Sequence, residues 1–210
     1  VIVYVETNFL LELAYLQERC DSCQLILDFA KAREITLALP SFSAAEARFA
    51  LHRRTFERQQ FQESLQKHIR EISRSETFSG LDRQSKDIVA AFVSGSEETR
   101  ERLEAAIEAV ENHGILIPLT GEVIRMSRFH ELTYSLKPED ALVLASIRSH
   151  AENNADRKCF ISQDSKAFDN RAVFDELSGA GCKFISNFTD AVGYIRSALR
   201  APIPPPQPPP

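Results

Sequence analysis

No apolar run in this chain approaches the roughly 20 residues needed to span a bilayer. No basic stretch precedes a short apolar one, so neither a membrane anchor nor a secretory leader is expected. A zinc-binding cysteine set is missing too. Cys20 and Cys23 form a CxxC, but Cys159 and Cys182 stand far apart and supply no second pair. The CxxC also opens a predicted helix, where a thioredoxin-like redox motif would follow a strand directly. Free thiols, buried or half-exposed in a reducing cytoplasm, are the expected state. Net positive charge is absent: 25 Lys and Arg against 30 Asp and Glu leave −5, which argues against a protein that coats DNA. No internal repeat is visible. Disorder of the whole chain is excluded by a hydrophobic fraction of 43%, enough for a sizeable core in 210 residues. That length suits one domain with an elaboration.

Apolar runs and helical spacings alternate along what is present. VIVYV reads as a buried strand, followed by a short helix from about Phe9 to Leu16 and a second over Ser22 to Arg33. ITLAL (Ile35 to Leu39) is a strand stopped by Pro40. From Ser43 to about Ser73 neither Gly nor Pro occurs, and Phe49, Phe56, Phe61, Leu65 and Ile69 recur at helical intervals, predicting one long helix or two with a kink. Two further helices are predicted before Gly114, which fits a C′ glycine. ILIPL is a short strand or an extended link, and helix resumes over Glu122 to Glu131. Pro138 suits the first turn of the next helix. KCFIS and CKFIS are strands, separated by a helix that ends on glycine, and Asn187 opens a last helix. Strands alternating with helices predict a central parallel sheet covered on both faces, a three-layer α/β/α architecture. The terminal APIPPPQPPP should be a solvated polyproline-II tail, with or without an SH3-like or WW-like partner.

Four acids punctuate this pattern. Glu6 and Asp164 follow strands, while Glu46 and Asp140 lie within segments of helical spacing. In doubly wound folds ligands bind beyond the carboxyl ends of the strands, and all four acids can reach that edge. Taken singly, each is a helix cap or a surface charge. Together they repel, and a hard divalent cation held through oxygen ligands is the simplest way to neutralise them. Charge is also uneven elsewhere. Arg48 to Arg74 holds seven Arg or Lys against three Glu, and 75–111 holds four basic residues against nine acidic ones. The basic stretch is either a solvated helix face or a surface for a phosphate backbone.

The succession strand–ETN–LL, then Ser-x-x-x-Glu ending on Glu46, then EDALVLA, then ISQDSKAF resembles the PIN-domain nucleases, which include the ribonucleases of bacterial toxin–antitoxin modules. The resemblance runs over 1–199, with about 55–113 as an extra helical section and 200–210 as the proline-rich tail. It implies a PIN-like α/β fold and a divalent-metal-dependent ribonuclease, in which Mg²⁺ or Mn²⁺ activates a water to cleave single-stranded RNA. Glu6, Glu46, Asp140 and Asp164 are then the catalytic acids, with Glu6, Asp140 and Asp164 as direct metal ligands. Asn8 and Asp169 are auxiliary, and Arg48, Arg53 and Arg54 hold the RNA strand. RNA is the implied partner, and an antitoxin, another protein or a second copy of the chain would join it. His52 and His68 read as helix-surface residues. The departure is Glu6, where the family pattern carries aspartate: the added methylene means that the metal moves or the side chain folds back.

Two other readings stand beside this one. A PIN-like module that binds RNA or protein with little or no catalysis is favoured by Glu6 and by the long helical section. A different α/β phosphohydrolase would carry Asp-x-Asp after the first strand, where this chain has ETN.

Overall fold

The first strand, β1 (Ile2–Tyr4), is buried along its whole length because it lies in the middle of the sheet with helices on both faces. A parallel sheet covered in this way needs an unbroken apolar run, which VIVYV supplies. The computed structural model describes residues 1–75 and 81–200, with the backbone alone for 81–94. The proline-rich tail lies outside the described residues. After β1 come α1 (Thr7–Tyr15), α2 (Cys20–Lys31), β2 (Thr36–Pro40), α3 (Ser41–Ile72) and α4 (Leu81–His113). They are followed by β3 (Gly114–Ile117), α5 (Gly121–Tyr134), α6 (Pro138–Glu152) and β4 (Lys158–Ile161). The last elements are α7 (Ser165–Phe168), α8 (Arg171–Gly179), β5 (Cys182–Ile185) and α9 (Phe188–Arg200).

The five strands form one sheet in the order β3-β2-β1-β4-β5, and every pairing is parallel. This is the three-layer α/β/α architecture that the alternating pattern predicts. Successive strand residues point to opposite faces, which divides the core in two. Val3, Val5, Leu37, Leu39, Cys159 and Ile161 face a layer built from α1, α2, α4 and α9. Ile2, Tyr4, Ala38 and Phe160 face α6 and α8 through Leu144, Ile147, Val173 and Leu177. All four cysteines are free thiols, and burial pushes those of Cys159 and Cys182 up to about 12. Among the described residues no helix is long and apolar enough to cross a membrane.

Two local expectations are corrected. The stretch before Gly114, predicted as two helices, is one helix from Leu81 to His113 that runs through Gly95. A single glycine costs a helix only about 1 kcal/mol, and burial of Leu103, Ala106, Ile107 and Val110 outweighs it. Gly114 itself is no C′ glycine. Positive φ belongs to Gly181 (66°), whereas Gly114 starts β3 where the chain passes close to β2. A β-carbon on Gly114 would meet the Leu37 carbonyl oxygen at 2.6 Å and that of Val110 at 3.0 Å. Both obstacles are backbone, so Gly114→Ala should destabilise the protein by about 1–3 kcal/mol. A urea midpoint that falls at constant slope would show it. An unchanged midpoint would mean that β3 shifts freely.

Among the described residues, those that the long helix α3 buries all lie near its start. Ser43, Ala44, Ala47 and Leu51 are buried, and no residue from 52 to 75 is. At 1.5 Å per residue its 32 residues run about 48 Å, and among the described residues it packs mainly against α4 and α1.

Candidate functional site

The strand order reverses at β1: the chain builds outward through β2 and β3, then returns to place β4 and β5 on the other side. Such a switch point leaves a crevice at the carboxyl ends of the central strands. Each acid reaches that crevice through its own element. Glu6 follows β1 and caps α1, accepting the backbone N–H of Asn8 at 2.8 Å. Asp164 follows β4 and caps α7, accepting the N–H groups of Lys166 and Ala167, each at 3.1 Å. Glu46 stands in the second turn of α3, which starts directly after β2. Asp140 lies in the first turn of α6, behind Pro138. Acids in a first turn face the positive end of the helix dipole.

The four carboxylates line a single cleft of about 470 Å³ together with Thr7, Asn8, Phe49, Arg53, Arg54 and Glu139. Glu6 is 5% exposed. Its side chain folds back, accepting the Ser162 hydroxyl at 3.0 Å as well as the Asn8 N–H. The Thr7 hydroxyl donates to Glu46, tying the first helix to the third. Ser162 also accepts the Asp164 N–H at 3.0 Å, so one hydroxyl joins two of the acids.

Burial and mutual repulsion raise the proton affinity of Glu6, Glu46 and Asp140. Glu6 is pushed up to about 7, mainly by burial and further by Glu46, against the hydrogen bonds from Asn8 and Ser162. Asp140 is pushed up to about 6 by burial, then by Asp164 and Glu139, with Lys137 opposing. Glu46 is raised by burial first, while the Thr7 hydroxyl and Arg53 pull it back.

The remaining residues singled out in the sequence divide between this cleft and other places. Asn8, Arg53 and Arg54 line the cleft, and Arg54 also stacks over the Tyr15 ring at 4.9 Å. Arg48 lies in the neighbouring groove between α3 and α4, where its guanidinium clasps Glu104, the Nε bond being 3.0 Å. Asp169 is exposed at the end of α7, outside the cleft lining. His52 lines the groove of Arg48, and His68 is exposed on α3. Sequence reasoning passed over Glu139, Thr7 and Phe49, which line the cleft, and Ser162, which is buried behind it and holds Glu6. Three are immediate or second neighbours of the chosen acids, and Phe49 lies three residues after Glu46. Proximity along the chain was the available signal.

The acids bring oxygen donors only, and among the described residues neither histidine nor cysteine lines the cleft. That donor chemistry fits Mg²⁺ or Mn²⁺ and suits soft metals poorly. The spacing is a different matter. Among the described residues, no three His, Cys, Asp or Glu side chains lie where they could hold one ion together. Glu6, Glu46 and Asp164 instead accept hydrogen bonds from the protein, and closing a ligand set requires side-chain rotation.

A PIN domain family model matches residues 3–168, a span that contains all four acids. No curated protein and no solved structure matches the chain. With an all-parallel sheet of five strands, acids at its switch point and this match over most of its length, the chain belongs to the PIN-domain family of nuclease-type proteins.

Proposed function

We propose that the protein is an endoribonuclease that uses Mg²⁺ or Mn²⁺ to cleave single-stranded RNA, leaving 5′-phosphate and 3′-hydroxyl ends. The observation that carries this reading is the convergence of Glu6, Glu46, Asp140 and Asp164 in one cleft, with burial and mutual repulsion raising three of them. Glu6, Asp140 and Asp164 would hold the ion. When bound, it lowers the pKa of a water and offsets charge that develops on the phosphate. Glu46 orients the attacking water, and its raised proton affinity suits it to accept the proton released. Arg53 and Arg54, which line the cleft from α3, draw the phosphate strand across the acids and offset their repulsion of it. Asn8 keeps Glu6 in place through its backbone N–H.

Purified protein should cut a single-stranded RNA with added Mn²⁺ or Mg²⁺ and stop on addition of EDTA. Cleavage that persists in EDTA would overturn the metal-dependent reading. One observation favours the weaker alternative, a module that binds RNA without cutting it. Glu6 is tied to both Asn8 and Ser162, and its buried carboxyl holds a proton up to about pH 7. Binding of the RNA with no cleavage under either metal would select that alternative.

A further inference from the structure

We infer that the rim of the cleft on α3 is a platform on which unpaired nucleic-acid bases stack, with Phe49 and Phe56 as the rings and Arg53 as the phosphate contact between them. The inference rests on the nuclease reading of the cleft and specifies how the substrate is held.

Phe49 is 71% exposed and Phe56 is 53% exposed. Apolar residues at these intervals on a helix ordinarily mark its buried stripe. Here the buried stripe of α3 is Ser43, Ala44, Ala47 and Leu51, and the two rings lie off it. Phe49 lines the acidic cleft beside Glu46, so the first ring stands at the reaction site itself. The positions 49, 53 and 56 are four and three residues apart and share one face of the helix. Arg53 therefore stands between the rings, and its charge reaches Glu46.

The interleaving separates this face from a protein-docking stripe. A helix that docks protein carries apolar residues at successive positions of one face. Here the position between the two phenylalanines is a guanidinium, and the flanking His52 and Glu57 are exposed and polar. Alternating aromatic and cationic groups are what a single strand needs: a flat apolar surface for each base and a positive charge for the phosphate. Seven residues of helix set the rings about 10.5 Å apart. At about 3.4 Å per nucleotide step, that is about three steps of a stacked strand. The surrounding segment from Arg48 to Arg74 carries four more positive charges than negative ones, counted on Arg, Lys and Glu. Arg54 and Arg58 are stacked over the Tyr15 ring at 4.9 and 5.6 Å, which holds two of those cations against the domain beside the platform.

A ring can stack only on a base that is not already stacked and paired in a duplex. The platform therefore selects single strands, bulges or loops, and it does so with little regard to sequence because every base offers a π-face. Duplex RNA would meet the acids of the cleft without gaining the rings.

The test is binding of a short fluorescein-labelled oligoribonucleotide in Mg²⁺, followed by anisotropy, on full-length protein carrying Asp140→Asn to suppress cutting. Phe49→Ala and Phe56→Ala should each weaken binding of the single strand about 5- to 150-fold, and Phe49→Tyr should restore it. The same strand annealed to its complement, or made with abasic sites, should bind the parent protein no better than it binds the alanine variants. Single-strand affinity unchanged by both alanine substitutions would overturn the platform while leaving the nuclease reading intact if wild-type protein cuts. Equal binding of the abasic strand by the parent would overturn it as well, by reducing the contact to phosphate. A wild-type dimer that either alanine variant dissociates would also overturn it, since the rings would then serve a second copy of the chain. Ring-dependent binding with no wild-type cleavage would support the platform and sink the nuclease reading alone. Circular dichroism melts of the variants should match the parent, because both rings lie at the surface.

Discussion

Replacing Asp140 by asparagine is expected to lower metal-dependent RNA cleavage at least about 100-fold while leaving the fold as stable as the wild type or more so. Two orders of magnitude correspond to about 3 kcal/mol of lost transition-state stabilisation, within what a metal site supplies. The amide keeps the shape of the side chain and removes the charge an ion requires. Stability should not suffer, because the carboxylate gains little from its surroundings. Burial, Asp164, Glu139 and Glu46 all oppose its ionisation, and together they outweigh Lys137 and the start of α6, which favour it. The paired measurement is initial cleavage rate and urea midpoint on the same preparation. Wild-type rates from Asp140→Asn would remove Asp140 from the site, and a large fall in midpoint would assign it a structural role.

Metal-free protein is expected to be more stable near pH 5 than near pH 8, with Glu6 as the largest source of the difference. A carboxyl raised from 4.5 to about 7 binds more protons in the folded state than in the unfolded state between those values. Its contribution is therefore fully present below about pH 4.5 and is lost as the pH rises through about 7. For a group 5% exposed, the displacement corresponds to about 3 kcal/mol as an upper figure. Asp140, raised to about 6, acts in the same direction but is half-exposed, so solvent screening reduces its share. Glu6→Gln should flatten the slope and make the metal-free protein more stable than wild type at pH 8. The amide keeps one oxygen to accept either the Asn8 N–H or the Ser162 hydroxyl, so part of the cap survives. Added Mg²⁺ should stabilise wild type at pH 8 by binding the ionised form. Urea titrations at both pH values decide the matter, and identical wild-type midpoints would show that Glu6 ionises as freely as an exposed acid.

Much of this molecule is readable from local pattern. The strands VIVYV and KCFIS are recognisable because a central parallel strand must be apolar on both faces, and helical spacing separates them from the helices between. Glu6 and Asp164 could be placed at strand ends for the same reason: they interrupt apolar runs just where the backbone must leave the sheet. A parallel sheet then requires that the strand ends share an edge. Asp140 followed from Pro138, whose fixed φ and missing N–H suit the first turn of α6.

What local pattern could not supply is set by neighbours distant in sequence. Arg48 seemed as ready for phosphate as Arg53, yet Glu104 on α4, 56 residues later, holds it in the adjoining groove. Glu6 folds back because Ser162, 156 residues away, stands at the end of the adjacent strand. Gly114 stands where α4 ends, as expected, but what requires glycine there is a close approach to β2 and not a left-handed φ, a matter of which strand lies alongside. Phe49 and Phe56 had the spacing of a buried stripe, but the residues α3 buries are Ser43, Ala44, Ala47 and Leu51, and both rings lie off that stripe and are exposed. Sequence determined the order of elements, the parallel sheet and the edge at which the acids gather, since these follow from backbone periodicity and chain connectivity. Tertiary structure alone decided which charges are already partnered, which rings remain in water and how strongly the acids hold their protons. Those properties depend on burial and on distances across the fold, which spacing along the chain does not encode.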